Sequence, residues 1–331
     1  MQIGTAVCGQ GERQKGYLKV AELAFGCDVR LPVIIVRGVE DGPTLWVNGG
    51  VHGEEVSGIF AIQKLVNSID PQELKGTLVV TPVSNPLAIK GIQKFTPEDQ
   101  LDMNQQFPGR EKGWLSEQMA YYLFKEVKTY ADYLVDLHGL GVSYDSVPYT
   151  VYKNMAGVPD KINKKTEELT LLMGVKANCR VDLATAKGEF PGAIAGAIDA
   201  QCLLNGIPAF MFELGGKVDW QIIDFAVGSI RNMMTHLGMI CSDVKRATGQ
   251  IIITERDFVN SSHAGLTIPE IESGKIIPAN TTLNKIVNFI GEELETLSLP
   301  VDAYILGIRT NPVVNSGEIL VGVGTKWDQV N

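Results

Sequence analysis

The chain of 331 residues is short of several things, and each shortage excludes something. Its five cysteines (Cys8, Cys27, Cys179, Cys202, Cys241) are odd in number and scattered, with no Cys-x-x-Cys spacing. Such a set builds no disulfide framework and fits a reducing compartment. The opening residues MQIGTAVCGQGERQKG contain no apolar segment, and no run approaches membrane-spanning length. Neither a secretion signal nor a transmembrane helix is expected, and the location expected is the cytoplasm. Basic clusters are also missing. With 29 Lys and Arg against 38 Asp and Glu, the net charge is −9. That balance disfavours nucleic acid and anionic membranes as partners. Only four histidines are present, so each can be weighed separately.

What remains is an ordinary globular composition with 45% hydrophobic residues. The length suits one large or two medium domains with a substantial core. The stretch Leu45 to Gly58, LWVNGGVHGEEVSG, is the centre of the chain's organisation. An apolar run (Leu45, Trp46, Val47) meets Asn48-Gly49-Gly50. Ile59, Ile62, Val66 and Ile69 then recur at helical spacing. This reads as strand, glycine turn and a helix over 56–69. Upstream, Gly16 to Phe25 and Asp28 to Arg37 read as strands. Downstream, Thr77 to Val83 is a strand and 84–113 a long loop. Ser116 can cap a helix carrying Met119, Leu123 and Val127 on one face. Asp132 to Leu137 is a strand ending at His138, Ile194 to Leu204 a helix, Pro208 to Phe212 a strand ending at Glu213, and Trp220 to His236 a helix. Strands alternating with helices imply a largely parallel α/β sheet.

From about residue 245 short β-like runs dominate (GQIIITE, GLTIPEI, LNKIVNFI, AYILGIR, EILVGVG). A weak echo joins Ile271–Ile277 (IESGKII) to Val314–Leu320 (VNSGEIL), which suggests two like β halves. Two domains are expected, residues 1–243 and 244–331.

His52 and Glu55 stand three residues apart at a helix start, a spacing that lets both converge on one ion. Imidazole nitrogen and carboxylate oxygen are good zinc ligands. The bland alternative is a solvated helix N-terminus with an acidic first turn. In α/β sheets, ligands collect beyond the carboxyl ends of the strands. His52 follows one strand, His138 ends a second and Glu213 a third, each within two residues of a glycine. Three protein ligands with one open position is the coordination of a catalytic zinc. A neighbouring carboxylate can then carry the proton of an attacking water, and Glu213 is the candidate. Its bland alternative is a salt-bridged carboxylate at a sheet edge. Asp136, two residues before His138, shares its face and can orient a ligand. Tyr144 and Tyr149 lie in a loop that can fold over the metal. His236 suits a helix C-terminus, His263 in SSHAG suits a surface turn, and Met233-Met234 suits the core.

The motifs NGGVHGEEVSG, NP…DMNQQFPG, VDLHG and GIPAFMFELGG, in this order over most of 40–220, resemble the succinylglutamate desuccinylase/aspartoacylase family of the zinc carboxypeptidase clan. The resemblance implies an α/β fold: a zinc-carboxypeptidase-like mixed sheet flanked by helices, with a smaller C-terminal all-β domain similar to a barrel-sandwich hybrid. It implies one zinc held by His52, Glu55 and His138, with Glu213 as general base. It also implies hydrolysis of the amide of a small N-acyl amino acid or amine. Such a substrate is the partner expected; homo-oligomerisation is left open.

Two positions depart from the family pattern. Gln105 occupies the arginine position of Asp-Leu-Asn-Arg-x-Phe-Pro-Gly, and Lys94 replaces a second arginine upstream. In the family these arginines grip a substrate carboxylate and stabilise the oxyanion, respectively. Lysine keeps a point charge without the fork, and glutamine keeps hydrogen bonding without the charge. Lys94 is therefore expected to act in catalysis and Asn104 and Gln105 in substrate binding, with Arg110 a substitute anchor for a carboxylate. From these two departures, neutral or cationic substrates are expected over acidic ones. A peptide-cleaving metallocarboxypeptidase is the alternative, and the missing arginine counts against it. A biotin or lipoyl carrier role for the C-terminal part is opposed by the absence of lysine from 286–325.

Overall fold

The computed structural model describes residues 1–183 and 195–330. Thirteen strands form its main sheet. In chain order they are β1 (Glu12–Glu22), β2 (Asp28–Arg37), β3 (Glu40–Asn48), β4 (Lys75–Thr81), β5 (Tyr133–His138), β6 (Tyr144–Asp145) and β7 (Tyr149–Asn154). They continue with β8 (Ala177–Asp182), β9 (Ala209–Glu213), β10 (Ile251–Asn260), β11 (Ile276–Ile277), β12 (Ala303–Arg309) and β13 (Ile319–Gln329). Their spatial order is β11-β12-β13-β10-β8-β7-β9-β5-β3-β4-β2-β1, with β6 beside β12.

The sheet is mixed, not largely parallel as strand–helix alternation suggested. Pairs β3/β4, β3/β5, β5/β9, β7/β8 and β8/β10 are parallel. However, β9 runs antiparallel to β7, and both flanks are antiparallel meanders. Helical crossovers impose parallel pairing only where they occur; the amino-terminal hairpin and the strands after residue 250 have none. Because β10 pairs with β8, the ladder continues from the α/β part into the C-terminal strands. A second sheet of four strands is formed by Glu293–Ser298, Thr282–Val287, Gly265–Pro269 and Val313–Val314.

Helices cover both faces of the sheet centre, which is why its strands read as continuous apolar text. Leu45, Val47, Val135, Phe210 and Phe212 turn toward α1 (Ser57–Asn67), α4 (Asp160–Leu171) and α6 (Trp220–His236), where Ile62, Leu65, Leu169, Ile230, Met233 and Met234 complete one core. Trp46, Val79, Leu134 and Ala209 turn the other way, toward α3 (Leu115–Tyr130) and α5 (Ile198–Leu204). Among the described residues, no helix is long and apolar enough to cross a membrane.

The stretch 84–113 contains more order than a loop. Asn85 accepts from the Ala88 amide and Pro86 stands at the first turn, so a short α2 forms over Pro86–Gly91. A single 3-10 turn, Met103–Gln105, is capped by Asp102. Ser116 is not the cap of α3. It lies inside the first turn, and Glu117 accepts the Trp114 amide at 2.8 Å instead. The helix expected over 194–204 is described from Ile198, and Ile194 lies outside the described residues. The two echoed segments fold alike. Each makes a turn at a glycine of positive φ (Gly274 at 77°, Gly317 at 88°) just before a strand.

Candidate metal and catalytic site

Beyond Asn48 the chain turns through Gly50, whose φ of 61° suits glycine. A side chain at Gly53 would meet the Ala88 carbonyl at 1.9 Å, so only glycine lets the loop approach α2 this closely. These bends bring His52 under the carboxyl end of the sheet and place Glu55 just before α1. His138 ends β5 and Glu213 ends β9, where the two are register partners. Tyr149 is the partner of Glu213 on its other side.

His52, Glu55 and His138 each offer one ligand atom, all within 4.8 Å of one another. Nδ1 of His52 is 2.7 Å from one Glu55 oxygen, and Nδ1 of His138 is 3.0 Å from the other. The outer nitrogens are held as well. Nε2 of His52 is 3.0 Å from Asp102, and Nε2 of His138 is 2.9 Å from Asp136. With Nε2 donating to a carboxylate, Nδ1 is left to present its lone pair inward. Asp136 is itself oriented by Asn48, which Ser84 supports in turn.

The electrostatics fit a cation at this point. Burial works to lower the His52 pKa, but the Glu55 charge and the bonds to Asp102 and Glu55 raise it to about 9. His138 is likewise raised well above its ordinary value against burial, by the Asp136 charge first. Burial works to raise the Asp102 carboxyl, but the His52 bond and charge and the Lys94 charge hold it at about 2. Against burial, the neighbouring imidazoles keep Glu55 below the usual carboxylate range. A field that draws protons onto both imidazoles favours a divalent cation among the same atoms.

Glu213 faces the opposite situation. It is buried, its Oε2 has no hydrogen-bond partner, and burial first, then the Glu55 charge, push it up to about 8. Burial and the Glu213 charge also raise Tyr149 well above its ordinary value, so its phenol stays neutral. Both face a cavity of about 310 Å³ that also exposes His52, Glu55 and His138.

Of the other residues singled out, Lys94, Asn104, Gln105 and Tyr144 line the same cavity. Lys94 and Gln105 converge on Asp102, at 3.3 and 3.5 Å. Asn104 keeps a buried Oδ1 without a partner. Arg110 is not brought there. It forms a two-bond pair with Glu117 at 2.7 Å, and its side chain is 68% exposed. A charge fixed on the outer surface of α3 cannot anchor a substrate in the cavity. His236 pairs with Glu168 at the end of α6, and His263 lies near Glu295 at the surface.

Asp102 and the far wall were missed in the sequence. Asp102 was visible in the DMNQQFPG motif, but nothing local tied it to His52. The far wall comes from β10, β12 and β13, including Arg256, Phe258, Leu306 and Ile319. Alternation could say which of these share a face, though not that the face meets residues two hundred positions away.

Residues 41–237 match the model of the succinylglutamate desuccinylase/aspartoacylase catalytic domain, and the chain belongs to this family. It is 34% identical over 140 residues to an N-alpha-acetyl-L-2,4-diaminobutyric acid deacetylase of Halomonas elongata. That match spans 41% of this chain and 40% of the length of that relative. Two solved structures share the fold over nearly the whole chain. A succinylglutamate desuccinylase/aspartoacylase from Rhodobacter sphaeroides has a TM-score of 0.82 at 24% identity, over 96% of each chain. The product-bound ectoine utilization protein EutE (DoeB) from Ruegeria pomeroyi has a TM-score of 0.84 at 20% identity, over 97% of this chain and 98% of that one.

Proposed function

We propose that the protein is a zinc-dependent amidohydrolase that removes the acyl group from a small N-acyl amino acid or N-acyl amine. Its catalytic α/β part is residues 1–243, and a C-terminal β part, residues 244–331, completes the pocket. The observation that carries this reading is the convergence of His52, Glu55 and His138 at one end of a cavity that also holds a buried, unpartnered Glu213. The cavity is of small-ligand size.

His52, Glu55 and His138 would hold the ion, a set of nitrogen and oxygen donors suited to zinc. When bound, zinc supplies a water of pKa about 7 and polarises a carbonyl. Asp102 and Asp136 keep both imidazoles in the tautomer that points Nδ1 inward. Glu213 takes the proton of the attacking water and delivers it to the leaving amine. Its lack of a competing partner and its raised proton affinity suit both halves of that task. Lys94 supplies positive charge where the carbonyl oxygen becomes anionic. Asn104 and Gln105 offer uncharged hydrogen-bonding groups to the substrate. The Halomonas relative, by its name, deacetylates an N-acetyl amino acid. That makes N-acetyl amino acids the first substrates to try.

The test pairs metal analysis with a panel of N-acetyl, N-succinyl and N-formyl amines and peptides. One zinc per chain is expected, lost in His52→Ala and kept in His236→Ala, together with hydrolysis of acyl-amines but not peptides. Equal metal content in the two variants would sink the assignment of ligands. Cleavage of peptides alone would make the protein a carboxypeptidase.

A further inference from the structure

Apart from the histidines, two cationic side chains line the cavity among the described residues, Lys94 and Arg256. Lys94 comes from the loop side, bridged to Asp102, with its side chain 49% exposed. Arg256 comes from the sheet side. It stands on β10, which is held between β8 and β13. The register of β10 against β13 shifts on either side of Glu255, immediately before Arg256. Irregularities of this kind re-aim a side chain. The partners of Arg256 and Phe258 across the ladder are Gly324 and Gly322, which place no side chain beside them.

The surroundings locate that guanidinium. It lines the cavity together with Tyr149 on β7 and Glu213 on β9. Tyr149 is in turn the register partner of Glu213. Three strand spacings of about 4.8 Å separate the backbones of β9 and β10. An arginine side chain shortens that gap to the length of a small amino-acid derivative. The position that lost its arginine, Gln105, is on the loop side, and Arg110 is directed outward.

We propose that Arg256 is the specificity-determining residue of this site, binding a single carboxylate on the substrate from the sheet wall. The substrate class is then N-acylated molecules with one carboxylate. A guanidinium offers a carboxylate two parallel bonds, which Gln105 cannot. Among the described residues lining the cavity there is no second arginine for a diacid, and the neutral Gln105 gives its other carboxylate no compensating charge. This inference rests on the deacylase reading for its substrate class, and its test separates the two.

The probes are N-α-acetyl-L-2,4-diaminobutyric acid and its carboxamide, with zinc-loaded wild type, Arg256→Gln and Arg256→Lys. The ratio of kcat/KM for acid over carboxamide should fall about 10- to 100-fold in Arg256→Gln, the scale of a charge-assisted bond. The fall should lie mainly in KM, and Arg256→Lys should keep part of the ratio. A ratio unchanged in both variants overturns the proposal. Calorimetry of the acid with Glu213→Gln, and with Glu213→Gln combined with Arg256→Gln, reads the same contact without turnover. A comparable weakening there supports Arg256 even if wild type hydrolyses neither probe, in which case the deacylase reading alone fails. Equal binding by the two variants overturns the role of Arg256.

Discussion

Glu213 and His138 are register partners on adjacent parallel strands, so the proposed base and one proposed ligand project from the same face of the sheet, one strand apart. Their relative position is set by main-chain hydrogen bonds and not by a loop. The site should therefore be largely preformed before metal or substrate arrives.

Glu213→Gln tests this arrangement. The variant should keep its metal, because the candidate ligand group is His52, Glu55 and His138. Turnover should drop roughly 10²-fold or more, the scale of lost general-base help. Near-normal turnover with full metal content would place the proton carrier elsewhere.

Asp136→Asn examines the support behind His138. Asp136 is fully buried and holds the His138 Nε2 at 2.9 Å. Metal affinity should weaken about 10- to 100-fold, as is usual for such outer contacts. Competition against a chelator measures it. Unaltered affinity would mean that the β-strand alone orients the imidazole.

Removing the metal should make stability fall as pH rises. In the chelated protein, Glu213 is raised from 4.5 to about 8 and His52 from 6.5 to about 9. Raised groups stabilise the fold below their unfolded values and lose that contribution as pH climbs through the folded ones. Glu55 and Asp102 are shifted downward, so their contributions are constant above pH 5. Tm of the chelated protein should fall between about pH 5 and 9. The metal requires deprotonated ligands, so the rise in Tm on adding zinc should grow over the same range. A zinc-induced rise that shrinks with pH would contradict the ligand set.

Lys153 and Asp199 form a fully buried ion pair at 2.6 Å. Lys153→Met alone should cost about 3–5 kcal/mol, since a buried carboxylate loses its counter-charge. Lys153→Met with Asp199→Leu should restore most of that loss. Denaturant titration separates the two, and a double variant no better than the single would show that the pair itself stabilises.

The candidate site was legible because its parts are local. His52 and Glu55 share one turn, and His138 and Glu213 each follow an apolar run and stand within two residues of a glycine, a pattern that marks strand ends. The α/β character was legible for the same reason, since period-2 and period-3.6 texts read from windows of ten residues. Asp102, the support of Lys94 and the outward turn of Arg110 were not legible. Each depends on where a loop lands or on a competing partner, as Glu117 competes for Arg110.

The sequence by itself determined the elements and the donor residues, through hydrophobic period, glycine punctuation and side-chain chemistry. Only the tertiary structure decided that the sheet is mixed and that β10 joins β8 seventy residues upstream. That one pairing sets Arg256 and Phe258 against a cavity whose other wall is Lys94 and Gln105. Backbone hydrogen bonds between strands carry no residue code, so any β-like run can pair with any exposed edge. Which edge is taken is settled by burial of the whole apolar surface at once, and no local window of sequence contains that sum.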